Sequence, residues 1–118
     1  MNRAGVSAHL FTLVLAMPNL AAAEPNGAAL FEERCALCHG AGGQGNGRLS
    51  KLLEVAPANL TRSRANDLYL RSIITLGGAA LGRSDRMPAW GGDLNAAEVD
   101  ALVRHINTLR NPFRAEGK

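Results

Sequence analysis

The chain has 118 residues, of which 47% are hydrophobic and 19% are charged, so two ordinary domains, a disordered chain and a polytopic membrane protein are all excluded. The formal net charge of +3 is too small to indicate a nucleic-acid-binding surface. Aromatic residues make up only 4% of the chain, which is few for the core of a small domain. We therefore expect one small globular domain whose core is completed by something other than aromatic side chains.

Residues 1–23 have the pattern of a secretory signal peptide: one arginine, a mostly apolar stretch, and three alanines before the first acidic residue. We expect cleavage after Ala23 and export to the periplasm. The domain then comprises residues 24–118, which contain 12 Lys and Arg and 10 Asp and Glu, a net charge of +2. An uncleaved membrane anchor is the alternative, although Pro18 and Asn19 make the apolar stretch a poor spanning helix.

A first helix is predicted from Asn26 to Cys38, with Asn26 as its N-cap. It leads into the string Cys-Ala-Leu-Cys-His at residues 35–39, which has the C-x-x-C-H spacing of c-type haem attachment. In that chemistry two thiols add across the haem vinyl groups and the following histidine coordinates the iron.

Three other uses of the two cysteines are considered. A disulfide would close a very small loop and so restrict the unfolded chain little. A thioredoxin-like redox pair needs a preceding strand, and none is predicted. A zinc site that also uses His105 would have to take adjacent Cys38 and His39 as ligands of one tetrahedral ion, which is a poor arrangement.

Two loop segments follow the histidine. Residues 40–47 contain five glycines, and a phosphate-binding loop is disfavoured because no strand precedes them and the Lys-Ser/Thr order is reversed at residues 50–51. We expect these glycines to let the chain turn tightly beside the haem. The Pro-Ala-Asn-Leu segment that comes next resembles the Pro-x-Asn-Leu segment of the class I cytochromes c. This resemblance implies that the Pro57 carbonyl accepts a hydrogen bond from the His39 ring and that Leu60 touches the haem face. The alternative is a simple turn proline.

A middle helix is predicted from Asn66 to Leu76, capped by Asn66 and closed by two glycines. Its apolar face is expected to carry Tyr69, Ile73 and Leu76, which are spaced at i, i+4 and i+7.

A last helix is predicted to begin at residues 93–95, with Asn95 and Glu98 as an imperfect capping box, and to stop at Pro112, before a loose tail. Apolar residues in it follow the helical period: Val99, Leu102, Val103, Ile106 and Leu109. No stretch alternates convincingly at period two. The sequence therefore predicts an all-α fold of three main helices joined by glycine-rich loops.

The ordered set of motifs, including a Met-Pro-Ala-Trp string at residues 87–90, resembles the class I cytochromes c from about Gly27 to Arg110. This resemblance implies a small cytochrome c-like fold around one haem c. It implies attachment through Cys35 and Cys38, iron ligation by His39 and Met87, and haem contacts from Pro57, Leu60 and Trp90. A second C-x-x-C-H string is absent, so one haem is expected.

The second iron ligand has few candidates in residues 24–118. Met87 is the sole methionine there, and His105, Lys51 and Lys118 are the others considered. The resemblance favours Met87, while an ordinary core methionine is the alternative. The family packs a glycine of the first helix against an aromatic residue of the last, so His105 departs from the pattern and is interpreted as a packing residue.

Ligation by both His39 and Met87 would leave no open site on the iron. We therefore expect a soluble periplasmic one-electron carrier, rather than an enzyme, that cycles between Fe(III) and Fe(II) and exchanges electrons with redox protein partners. One alternative is a haem enzyme or gas-binding sensor in which Met87 is displaceable. Another is a fixed cytochrome subunit of a larger oxidoreductase.

Four basic residues near the motif loops form a hypothetical docking rim for an acidic partner, with Asp85 beside them: Arg48, Lys51, Arg83 and Arg86. The alternative is an ordinary solvated surface.

Overall fold

A computed structural model describes residue 1 and residues 13–110. The predicted tail after Pro112, and residues 2–12 of the predicted signal peptide, lie outside the described residues. Residues 13–26 form neither helix nor strand. No helix among the described residues combines the length and the apolar character needed to cross a membrane.

The described residues form helices and turns without a β-strand, which confirms the predicted all-α class. The four α-helices are α1 (Gly27–Arg34), α2 (Ala36–His39), α3 (Asp67–Leu76) and α4 (Ala96–Arg110). Single 3₁₀ turns occupy Ser50–Leu52, Leu60–Arg62 and Ala79–Leu81 in the connecting loops.

The predicted first helix is divided in two at Cys35. The Asn26 side chain caps α1 by accepting a hydrogen bond from the backbone N–H of Ala29 at 3.0 Å, as expected for an N-cap. Cys35 then has φ −120° and ψ −36°, which is outside the helical region and ends α1 at the preceding arginine. The second cysteine and His39 consequently lie on the separate four-residue helix α2.

Helix α3 begins and ends as predicted, but its buried face differs from the prediction. The Asn66 side chain accepts from the backbone N–H of Tyr69 at 2.8 Å and caps the helix. Leu70 and Ile74 are the buried residues, whereas Tyr69 is half-buried and Leu76 is 55% exposed. The sequence offers two neighbouring apolar faces, each with i, i+4 spacing, and the core buries the one with Leu70 and Ile74.

Helix α4 confirms the predicted capping box and supplies half of the core. The Glu98 carboxylate accepts from the Asn95 N–H at 2.8 Å, and the Asn95 side chain accepts from the Glu98 N–H at 3.0 Å. Four of the five predicted apolar positions of the helix are buried, and the fifth, Leu109, packs partly buried against the same core.

The crossing of α1 and α4 is a close backbone contact. A Cβ atom on Gly27 would overlap the carbonyl oxygen of Ala101, and the Cβ of His105 lies 3.2 Å from that position. The rings of Phe31 and His105 are 5.0 Å apart between centroids, and Phe31 is only 1% exposed. His105 therefore fills the aromatic place in this contact, as the interpretation of it as a packing residue requires.

Replacing Gly27 by alanine tests this crossing. Because the obstructing atoms belong to the α4 backbone, the helices must separate, and we expect the free energy of unfolding to fall by about 1–3 kcal/mol. Chemical denaturation measures this, with Gly92→Ala as the matched control because a Cβ there meets nothing within 4 Å. Equal stability of the two variants would contradict the close contact.

Candidate haem-binding site

Both thiols of the C-x-x-C-H string are free and half-buried. Burial, and secondarily the neighbouring Cys38, raise the pKa of Cys35 to about 11, while the nearby Arg34 acts in the opposite direction. Redox-active cysteines have a lowered pKa because the thiolate is the reactive species. The raised pKa of Cys35 therefore counts against the thioredoxin-like alternative.

His39 is the last residue of α2, and one of its ring nitrogens is already engaged. Nδ1 lies 3.0 Å from the carbonyl oxygen of Ala58 and must donate to it, since a carbonyl only accepts. The lone pair of the ring is thus on Nε2. Burial lowers the pKa of His39, although the bond to Ala58 opposes that shift. A neutral ring with an oriented Nε2 lone pair is the form of histidine that binds a metal.

The sequence predicts the Pro57 carbonyl as the acceptor for His39, and this prediction is wrong by one residue. The Pro57 carbonyl instead faces Gly45, where an added Cβ would lie 2.5 Å from its oxygen. Successive carbonyls of an extended segment point in opposite directions, so a shift of one residue decides which of them reaches the ring. Sequence reasoning therefore missed Ala58, because only backbone direction distinguishes it from its neighbour.

The glycine-rich loop holds the segment that carries Ala58 in place. The Gly45 N–H donates to the His39 carbonyl at 2.7 Å, and the Leu60 N–H donates to the Gly43 carbonyl at 2.6 Å. Gly43 and Gly45 have φ values of 71° and 80°, in the left-handed region that favours glycine. The loop thus makes the predicted tight turn and brings Leu60, which is 9% exposed, into the core.

Met87 and Trp90 lie on a loop that is tied to the end of α3. The Gly78 N–H donates to the Met87 carbonyl at 2.9 Å, and the Trp90 N–H donates to the Ile74 carbonyl at 2.9 Å. Gly77 has φ 80°, and a Cβ there would lie 2.9 Å from the Ala89 nitrogen. The backbone of the loop therefore packs against the backbone of Gly77, where a side chain would not fit. Both Met87 and Trp90 are partly buried against the hydrophobic core.

The donor groups present suit a haem c better than a bare metal ion. Two thiols, one neutral imidazole and one thioether are the groups that covalent attachment and axial ligation of a haem use. Cys35, Met87 and Trp90 border the same apolar core, to which Leu60 belongs. Across residues 13–110, no three His, Cys, Asp or Glu side chains come close enough to hold a metal ion together.

Arg34 contacts Trp90 in the candidate site, and the sequence did not identify it as a site residue. Its guanidinium carbon lies 5.5 Å from the centroid of the Trp90 ring. The two residues are far apart in the sequence and belong to no common motif, so the only available signal was the position of Arg34 directly before the first cysteine.

The chain is similar to known proteins over most of its residues. Residues 21–106 match the family described as "Cytochrome C oxidase, cbb3-type, subunit III". The cbb3-type cytochrome c oxidase subunit FixP of Azorhizobium caulinodans is 33% identical over 108 residues, covering 88% of this chain and 33% of that protein. Subunit CcoP of Azospirillum brasilense is 36% identical over 91 residues, covering 75% of this chain and 29% of that protein.

The chain spans about one third of the length of these curated relatives. No solved structure gives a significant match. Since the family match includes the cysteines, His39 and Met87 and extends over well more than half of the residues, the chain belongs to the family of subunit III of the cbb3-type cytochrome c oxidases.

Proposed function

We propose that this chain is a periplasmic, monohaem c-type cytochrome domain that passes single electrons as part of a larger oxidoreductase. The observation that carries the proposal is the C-x-x-C-H string whose histidine donates through Nδ1 to Ala58 and keeps Nε2 for a ligand. The relatives above are named as oxidase subunits, which supports the subunit alternative over the freely diffusing carrier that the sequence alone suggested.

Each residue of the site has a defined task in this proposal. Cys35 and Cys38 would attach the haem, and His39 and Met87 would ligate its iron, while Leu60 and Trp90 would exclude water from it. When bound, the haem supplies one-electron exchange between Fe(III) and Fe(II). A thioether favours the softer Fe(II), so a Met ligand gives a higher potential than a second histidine would. Two protein ligands leave no coordination site for a substrate, which favours electron transfer over catalysis.

Covalent attachment is tested by Cys38→Ser. Removing one thiol leaves at most one thioether bond, so we expect the variant to retain much less haem than the wild type after denaturation. The measurement is a haem stain of a denaturing gel of the exported protein. Ser50→Ala changes a hydroxyl outside the motif and is the control, which should stain like the wild type. Equal staining of Cys38→Ser would contradict attachment through this residue.

Met87→Ala tests the second ligand and separates the electron carrier from a gas-binding sensor or haem enzyme. We expect the wild-type ferric protein to show the weak charge-transfer band of methionine-ligated haem and the reduced protein not to bind carbon monoxide. The variant should keep its haem, lose that band and bind carbon monoxide. His105→Phe removes the rival ligand and should behave like the wild type. Immediate binding of carbon monoxide by the wild type would contradict the carrier proposal.

Electron exchange with an oxidase tests the role of the docking rim. Arg48, Lys51, Arg83 and Arg86 are all exposed, and Arg86 lies 4.0 Å from the carboxylate of Asp85. A purified cbb3-type oxidase that lacks its own subunit III should oxidise the reduced protein. The rate should fall with salt, because the screening length shrinks from about 10 Å at 0.1 M to about 3 Å at 1 M.

Two results would contradict separate parts of this prediction. A rate that is flat or rises with salt would contradict the basic docking rim. Failure of the oxidase to oxidise the reduced protein at any salt concentration would contradict the assignment to this class of complex, although the haem site would stand.

A further inference from the structure

A cation–π contact joins the two halves of the candidate site. Arg34 is the last residue of α1 and immediately precedes Cys35, whereas Trp90 follows Met87 by three residues on the opposite loop. The Arg34 guanidinium lies over the indole ring at 5.5 Å from its centroid. The contact therefore bridges the segment that attaches the haem and the loop that carries the proposed second ligand.

The Arg34 side chain is partly buried, with 35% of its surface exposed. Nε is buried, and within the described part of the chain it has no hydrogen-bond acceptor. The Glu33 carboxylate lies 3.1 Å from Nε, without the geometry of a hydrogen bond, and the Glu33 side chain is 64% exposed. The interaction of a cation with an aromatic face strengthens when water is excluded, whereas an exposed ion pair contributes little.

The Met87 loop has few other polar attachments on this side. Its backbone bonds run to the end of α3, from Trp90 to Ile74 and from Gly91 to Thr75 at 3.1 Å, and the Gly78 N–H donates to Met87. Among residues 13–110, no hydrogen bond connects residues 82–92 with α1. The Arg34–Trp90 pair is therefore the polar contact observed between this loop and α1 in the described part of the chain.

We propose that Arg34 is a positioning residue that acts through Trp90 to hold the Met87 loop closed, and so sets how readily the methionine is replaced as a ligand. The proposal rests on the proposed function, because it requires Met87 to ligate the iron. An incoming ligand binds only to molecules in which the loop has opened, so its apparent affinity rises in proportion to the open fraction. Weakening the contact with Trp90 should increase that fraction.

The test is imidazole binding to the ferric holoprotein, followed by loss of the methionine charge-transfer band. Arg34→Met keeps the length of the side chain and removes the cation. We expect about a fivefold increase in apparent imidazole affinity, which corresponds to about 1 kcal/mol, in the range of a partly desolvated cation–π contact. Without imidazole the band should remain, because the closed loop is still the main state. Arg34→Lys keeps a cation near the ring and should show a smaller increase.

A double-mutant cycle identifies Trp90 as the partner. Trp90→Leu should also raise the affinity, and the double variant Arg34→Met/Trp90→Leu should bind no more tightly than the stronger single variant. The matched control is Arg104→Met, the same change on an arginine of α4 whose side chain is 60% exposed and pairs with Glu24 at 3.5 Å. Its imidazole affinity should stay within about twofold of the wild type, as for most exposed substitutions.

The positioning role of Arg34 is contradicted by either of two results. Fully additive effects of Arg34→Met and Trp90→Leu, or an equal increase in Arg104→Met, would overturn the positioning role. If Arg34→Met does not accumulate as holoprotein, the cycle is run with Arg34→Lys and Trp90→Phe, and absence of coupling there overturns the proposal equally. A wild type that lacks the methionine band would instead contradict Met87 ligation, and with it the proposed function.

Discussion

The site depends first on the hydrogen bond from His39 to Ala58, because it fixes which nitrogen of the ring is available. A histidine at the end of a four-residue helix would otherwise be free to rotate about its side-chain bonds. The Ala58 carbonyl removes that freedom at 3.0 Å. The segment that carries this carbonyl is bonded to the glycine-rich loop through the Leu60 N–H and the Gly43 carbonyl, and the Pro57 carbonyl lies against Gly45. The left-handed glycines 43 and 45 therefore contribute indirectly to the orientation of His39.

The scarcity of aromatic residues fits the same arrangement. Phe31 is the one aromatic side chain that is fully buried in residues 13–110, and it lies where α1 and α4 cross on Gly27. Tyr69 and Trp90 stay half-buried at the border of the core. The core is built mainly of Leu, Ile and Val, and Cys35 and Met87 lie partly buried against it. A haem held there, as proposed, would add the large flat apolar surface that the few aromatic side chains do not supply.

Features set by local rules could be predicted from the sequence, and those set by the direction of the backbone or by distant pairing could not. The caps at Asn26, Asn66 and Asn95 follow from side chains that accept from the N–H three residues further on, so the sequence suffices for them. The family motifs likewise identify the cysteines and their histidine. Choosing Ala58 over Pro57 requires the orientation of successive carbonyls.

To predict that Leu70 rather than Tyr69 is buried on α3, one must similarly know which of two apolar faces meets the core. The Arg34–Trp90 contact could not be predicted because the two residues share no motif. The two parts of the candidate site, the C-x-x-C-H segment and the Met87 loop, are also held by different kinds of contact. The His39 ring is oriented by a backbone carbonyl, whereas the loop that carries Met87 is bonded through its backbone to the end of α3 and contacts α1 through the Arg34–Trp90 pair. In the proposed function, the strength of the Met87 ligand would be a main determinant of the haem potential. Differences between close relatives in potential or in ligand exchange should then arise chiefly on the Met87 side, including at positions such as Arg34 that would not ligate the iron.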